Sequence, residues 1–184
     1  MTALARKHET DPLDIELTRM RRRHLRRVLS IEAQVYPRPW SASLFLSEIS
    51  QRSSRTYLVA KYGGEVIGYA GMMFTGREAH VTNIAVDPEW HGQKVATRLL
   101  LTIVTEAIAR GCEMISLEVR VSNRIAQSLY EKFGFAVAGV RKGYYIETNE
   151  DALVMIVKDA LSTEYRVRLQ NIRAELNIGE YSAE

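Results

Sequence analysis

Along this chain the spacing of apolar side chains changes period several times, and each change marks an element. Ile15-Glu16-Leu17-Thr18-Arg19-Met20 alternates as a half-buried strand does, and then Leu25, Val28, Leu29, Ala33 and Tyr36 recur at helical spacing. Pro37 and Pro39 end that helix, and Ser41 is placed to cap a short one carrying Leu44, Phe45 and Ile49 as far as the Ser53-Ser54 loop. Tyr57 to Ala60 and Val66 to Ala70 flank Gly63-Gly64, which predicts an antiparallel hairpin through a tight turn that tolerates positive φ. A further strand, His80 to Val86, follows Gly76.

The longest apolar stripe comes next. From Ala96, the positions Leu99, Leu100, Ile103, Val104, Ala107 and Ile108 define a helix, with Gly111 where a C-cap glycine belongs. Met114 to Arg120 reads as a strand, and Ser122 can cap a helix whose buried face would hold Ile125, Ala126, Leu129, Tyr130 and Phe133 before Gly134. Strands follow near Ala136 to Tyr145 and Leu153 to Val157. Strands that begin antiparallel and then alternate with helices predict a mixed α/β sheet. Leu161, Tyr165, Leu169, Ile172 and Leu176 make a last amphipathic helix, which either packs back on the domain or meets a partner. The organisation expected is a loose arm over 1–12, a domain over 13–159, and a C-terminal helix and tail over 160–184.

Composition narrows the picture. A chain of 184 residues with 46% hydrophobic side chains builds one domain with a sizeable core. No apolar run reaches the roughly 20 residues that cross a bilayer, and the N-terminus lacks the apolar stretch of a signal peptide, so a cytoplasmic protein with no membrane partner is expected. Cys112 is the only cysteine, which excludes an internal disulfide and reads as a packing residue. His8, His24, His80 and His91 show no metal-ligand spacing, and no metal is expected. The net charge is only +3, yet six arginines gather between Arg19 and Arg27, as a solvated face or as a weak contact for nucleic acid or the ribosome.

The chemistry begins after Val86. Asn83-Ile84-Ala85-Val86-Asp87-Pro88 is an apolar strand that ends in a polar turn and opens the long helix. A helix start presents unpartnered N–H groups and the positive end of the dipole, so it holds an anion. The turn carries neither Gly-x-Gly-x-x-Gly nor a Gly-Lys-Ser/Thr phosphate loop, which disfavours a dinucleotide site and a P-loop.

Those residues, followed in order by Leu117-Glu118-Val119-Arg120, Ser122-Asn123, Leu129 to Phe135 and Tyr144-Tyr145, resemble the GNAT N-acetyltransferases over about Ile15 to Lys158. Within that family the chain is most similar to members that acetylate the N-terminal alanine of a small-subunit ribosomal protein. The resemblance implies a mixed central sheet with two splayed parallel strands flanked by helices, and acetyl-CoA as co-substrate in the gap. Pantetheine would pair with the backbone of Ile84, Ala85 and Val86, and pyrophosphate would rest on amides of Gly92, Gln93, Lys94, Val95, Ala96 and Thr97. The family pattern Gln/Arg-x-x-Gly-x-Gly/Ala here reads His91-Gly92-Gln93-Lys94-Val95-Ala96. Lys94 stands where a glycine is usual, so the loop either keeps to the right-handed region or carries strain.

An amine must be neutral to attack a thioester, which calls for a base. Glu118, on an otherwise apolar strand, is the candidate and matches the family's general base; by itself it could be a strand-edge carboxylate paired with Arg120 or another cation. Tyr130 matches the family's proton donor, although its spacing alone makes it a core aromatic. Asn123 matches a cofactor-contacting position that could also be a simple cap. Tyr36, Trp40, Tyr144 and Tyr145 are rigid groups in the regions that line the peptide site of N-terminal acetyltransferases. Two other readings stay open: an acetyltransferase for a small amine or a lysine side chain, and a non-catalytic acyl-CoA or RNA-binding module.

Overall fold

A computed structural model describes residues 14–177 of the chain, and the expected arm over 1–12 lies outside them. Alternation becomes strand β1 (Glu16–Arg19), and the first helical stripe becomes α1 (Leu25–Val35), preceded by one turn of 3-10 helix at Arg22–His24. Helix α2 (Ala42–Ser50) starts where the Ser41 hydroxyl accepts the N–H of Leu44. Strands β2 (Arg55–Tyr62) and β3 (Glu65–Thr75) meet at Gly63-Gly64, both at positive φ, and β4 (Glu78–Val86) follows antiparallel to β3.

The second half alternates. Helix α3 (Val95–Ala109) leads through Gly111, at φ +80°, into β5 (Met114–Arg120). Then come α4 (Arg124–Lys132), β6 (Ala136–Tyr145), β7 (Glu150–Val157) and α5 (Thr163–Glu175). The seven strands lie in the order β1-β2-β3-β4-β5-β7-β6, and all neighbours are antiparallel except β4 and β5.

Each sheet face has its own core. Val28, Ile31 and Phe45 of α1 and α2 pack on Tyr57, Val59 and Tyr69 on one side. Leu99, Leu100 and Ile103 of α3 are fully buried on the other, together with Phe133 beyond α4 and Tyr165, Leu169 and Ile172 of α5. Burying a side chain of this size contributes about 1.5–3 kcal/mol, so α3 anchors the sheet. Helix α5 packs back onto the domain, and Cys112 is a buried core thiol whose pKa burial raises.

Two local expectations need correction, and an alternative left open at Lys94 is decided. The cap of α4 is Asn123, whose Oδ1 accepts the N–H of Ala126 at 3.1 Å, while the Ser122 hydroxyl turns to Glu150. Ile125 is not on the buried face: it is 88% exposed, and Gln127 and Tyr130 fill that side. Lys94 takes the strained alternative, left-handed at φ 59° and ψ 22°, where a side chain costs about 1–2 kcal/mol.

Candidate active site

The parallel ladder between β4 and β5 has only three rungs, Glu78 with Met114, Ala79 with Ile115 and His80 with Ser116. Beyond His80, β4 pairs with β3 alone, and beyond Ser116, β5 pairs with β7 alone, so the sheet opens as a wedge. A bulge at the mouth sharpens it: Gly71 faces Asn83 and Met72 faces Val81, which leaves Thr82 without a partner. Tyr57 fastens the bulge, its hydroxyl bonding Thr82 Oγ1 at 3.0 Å and donating to Glu48 at 2.9 Å. A Cβ at Gly71 would overlap the Tyr57 ring and the Asn83 amide oxygen, so glycine is required there.

At the wedge lies a cavity of about 270 Å³. All six residues expected at the catalytic and peptide sites line it, and they come from four separate parts of the chain: Glu118 from β5, Tyr130 from α4, Tyr36 and Trp40 from the α1–α2 connection, and Tyr144 and Tyr145 from the end of β6. Among the lining residues that sequence reasoning missed are Glu32, His80 and Asn83.

Glu118 is not paired with Arg120. Its carboxylate accepts from His80 Nε2 at 2.9 Å and meets Arg141 Nε at 3.4 Å. These contacts, led by the His80 hydrogen bond, outweigh partial burial and hold the carboxyl below the usual carboxylate range. Ser116 Oγ lies 2.9 Å from the other ring nitrogen, Nδ1, so Ser116, His80 and Glu118 form a chain. With Nε2–H donating to the carboxylate, a neutral ring leaves Nδ1 as acceptor for the serine hydroxyl. Arg120 instead stacks over the Tyr145 ring at 3.8 Å and pairs with Glu147.

Tyr130 is held by its helix. Gln127, one turn earlier, donates from Nε2 to the carbonyls of Arg120 and Val121, both at 2.9 Å, and so fastens α4 to the end of β5. The Tyr130 ring packs edge-on against Phe135, and burial raises its pKa and keeps the phenol protonated. Tyr36 donates its hydroxyl to the Ile84 carbonyl at 2.7 Å, so one expected backbone acceptor of β4 is already engaged.

The turn after β4 is tied at both ends. Asp87 accepts from Glu89 N–H and pairs with Arg27, and His91 Nε2 lies 3.1 Å from the Val86 carbonyl. The first i→i−4 bond of α3 runs from Arg98 N–H to the Lys94 carbonyl, which leaves the N–H groups of Val95, Ala96 and Thr97 ahead of it. That supplies main-chain donors at the positive end of a 15-residue helix. Gly92, at φ +78°, has no atom within 4 Å of where a Cβ would stand. Asn123 caps α4 and is not among the cavity-lining residues.

A sheet split between two parallel strands, with a carboxylate at the split and a helix start beyond, defines the acetyltransferase (GNAT) class, and residues 25–135 match the model of that family. The chain belongs to it. Among its relatives, the Escherichia coli protein named [ribosomal protein bS18]-alanine N-acetyltransferase is 36% identical over 127 residues, 68% of this chain and 84% of the relative. N-alpha-acetyltransferase RimI of Mycobacterium tuberculosis is 34% identical over 153 residues, 80% of this chain and 93% of its own. The crystal structure of the ribosomal-protein-S18-alanine N-acetyltransferase from Escherichia coli superposes with a TM-score of 0.73 at 30% identity, covering 82% of this chain and 97% of that one.

Proposed function

We propose that this protein transfers the acetyl group of acetyl-CoA to the α-amino group of a protein N-terminus with a small first residue, as the names of its RimI relatives suggest, with a ribosomal protein as the natural substrate. The observation that carries the reading is Glu118, an ionised carboxylate at the wedge, in one cavity with the unbonded phenol of Tyr130.

Acetyl-CoA fits the residues present. Where the ladder with β5 has stopped, β4 from Ile84 to Val86 would meet the cofactor's amides, with Tyr36 and His91 already engaging the Ile84 and Val86 carbonyls, and the amides from Gly92 to Thr97 would hold its pyrophosphate. The Lys94 ammonium adds charge to that turn. Asn123 sets the start of α4 and hence the position of Tyr130, and at that helix start it would also meet the cofactor.

A terminal amine has a pKa near 8 and is partly neutral at physiological pH, unlike a lysine side chain near 10.4. As its nitrogen bonds to the thioester carbon, the proton it sheds passes to Glu118, with His80 and Ser116 behind. The thiolate that leaves takes a hydrogen bond and then a proton from the Tyr130 phenol. The amine attacks the thioester directly, with no acetyl-enzyme, and the buried Cys112 has no part. Tyr36, Trp40, Tyr144 and Tyr145 line the groove that orients the peptide.

The setting is cytoplasmic in this reading; among the described residues no helix is long and apolar enough to cross a membrane. Arg21, Arg22, Arg23 and Arg26 are exposed where a ribosomal surface would meet them, whereas Arg27 is held by Asp87 and Glu65. The test is a panel of peptides and small amines incubated with labelled acetyl-CoA. Label should enter peptides beginning with alanine or a similar small residue, at the α-amino group; label confined to polyamines or lysine side chains would end the reading.

A further inference from the structure

Both oxygens of Glu118 are engaged, by neighbours of different kinds. Oε2 accepts from His80, whose ring is fixed in turn by Ser116 across the last rung of the parallel ladder. Oε1 faces Arg141 Nε at 3.4 Å. That arginine comes from β6, with β7 between it and β5: Arg120, Ala152 and Arg141 stand in one row across the three strands, and Glu118, Val154 and Gly139 in the next. Its arm therefore spans β7 to reach the carboxylate.

The two arginines of the first row are held very differently. Arg120 is tied to Glu147, Glu150 and Thr148 and stacks on Tyr145, so it stays where it is. Arg141 has a side chain 58% exposed, against 11% for Glu118, and its guanidinium also lies 5.6 Å from the centroid of Tyr144, a ring of the cavity wall. A cation within about 6 Å of an aromatic face is attracted to it, so Arg141 has a second resting place beside the first.

An α-amine with a pKa near 8 arrives at neutral pH mostly as ammonium. It is a second cation bound for the oxygen that Arg141 faces, and two like charges at one carboxylate oxygen repel each other. Of the two neighbours of Glu118, only the exposed one is placed to yield.

We propose that Arg141 is the resident counterion of Glu118, and that the ammonium of the substrate takes its place and sends the guanidinium to the face of Tyr144. Arg141 is then a specificity residue, because a ligand head with a positive charge replaces what Glu118 loses and a neutral head does not. This rests on the N-terminal acetylation proposed above and adds to it how the base is kept in charge balance as the amine enters and leaves. Acetylation turns the head into a neutral amide, which has nothing to hold Arg141 away, so the return of the arginine favours release of the product. His80 stays throughout; it does most to keep the carboxyl ionised, with Arg141 adding to it.

The test is Arg141→Gln with an alanine-headed peptide as probe. Removing the competing charge should lower the peptide KM by about three- to fivefold, the scale of a partly exposed ion pair, with kcat within about twofold and the acetyl-CoA KM unmoved. Arg141→Lys, which puts a cation back, should restore the wild-type KM. The same peptide already acetylated carries no charge at its head, and its inhibition constant should not move in Arg141→Gln. A peptide KM that holds or rises in Arg141→Gln would overturn the exchange. So would an equal fall in Arg141→Lys, or a matching fall in the inhibition constant of the acetylated peptide, since either marks an obstruction of shape and not of charge. Wild-type enzyme that accepts no peptide terminus would overturn both the exchange and the function on which it rests, whereas wild-type turnover with no fall in Arg141→Gln removes the exchange alone.

Discussion

Glu118 and Glu32 line one cavity from different walls, and their surroundings push them in opposite senses. On β5 the carboxylate meets His80 and Arg141, and its pKa falls; on α1 the carboxyl has a single backbone N–H and an apolar setting, and its pKa rises. The difference shows that one cavity can hold a carboxylate kept ionised by its neighbours beside another that burial drives toward its protonated form. Neither state follows from residue type. Both follow from which element brings a cation within reach.

The largest expected effect comes from removing the β5 side of this contrast. Glu118→Gln should lower kcat by about 10²–10⁴ and leave the acetyl-CoA KM within about threefold, measured by steady-state kinetics. Tyr130→Phe should follow the same pattern with a loss of about 10–10² in kcat. A wild-type kcat in Glu118→Gln would abolish the asymmetry between the walls.

His80→Ala sharpens the comparison from outside the carboxylate. It should cost about tenfold in kcat and raise the Glu118 pKa toward the ordinary range, a shift readable by carbon NMR titration of the labelled glutamates. Rescue by His80→Gln, which can still donate to Glu118, would place the effect in the hydrogen bond.

The smallest effect is on stability, and its sign differs between the walls. Glu118, lowered in the fold, contributes stability above the usual 4.5 that is lost as pH falls through its native value. Glu32, raised, carries a cost that is absent below 4.5 and grows as pH rises through its upward-shifted value. Glu32→Gln should therefore raise stability by about 1 kcal/mol at pH 8, roughly 2–4 °C in Tm, and the gain should vanish near pH 4.5. Calorimetry at the two pH values checks it.

Local signals carried most of the fold. Ser41 as a cap, Gly63-Gly64 as a hairpin turn, the α3 stripe and Gly111 as its stop all stand in the structure where their spacing puts them. The α4 cap moved from Ser122 to Asn123 because both residue types can accept an N–H, and Glu150, 28 positions away, claims the serine. Ile125 was misassigned because a nine-residue helix leaves its buried face open by one position, and Gln127, polar but bonded to two carbonyls of β5, fills that place.

The site divided differently. Glu118 and Tyr130 were legible because they lie inside recognisable runs of sequence, and all four aromatics assigned to the groove do line the cavity. His80 was dismissed for want of a metal spacing, since its importance depends on a parallel register with Ser116 that no local pattern reveals. Glu32 and Asn83 were invisible for a similar reason. Each reaches the cavity wall only once its own element has been placed.

Helix α5 has a practical consequence for anyone shortening the chain. It lies against the turn from α4 into β6, where Gly134 at φ +82° leaves just enough room for Tyr165 and Arg168, while Arg98 reaches the Leu176 carbonyl from the start of α3. A version trimmed before Thr163 would bare the greasy underside of three elements at once and should precipitate on expression. Any shortened chain must therefore keep Leu176, well past the end of the sheet.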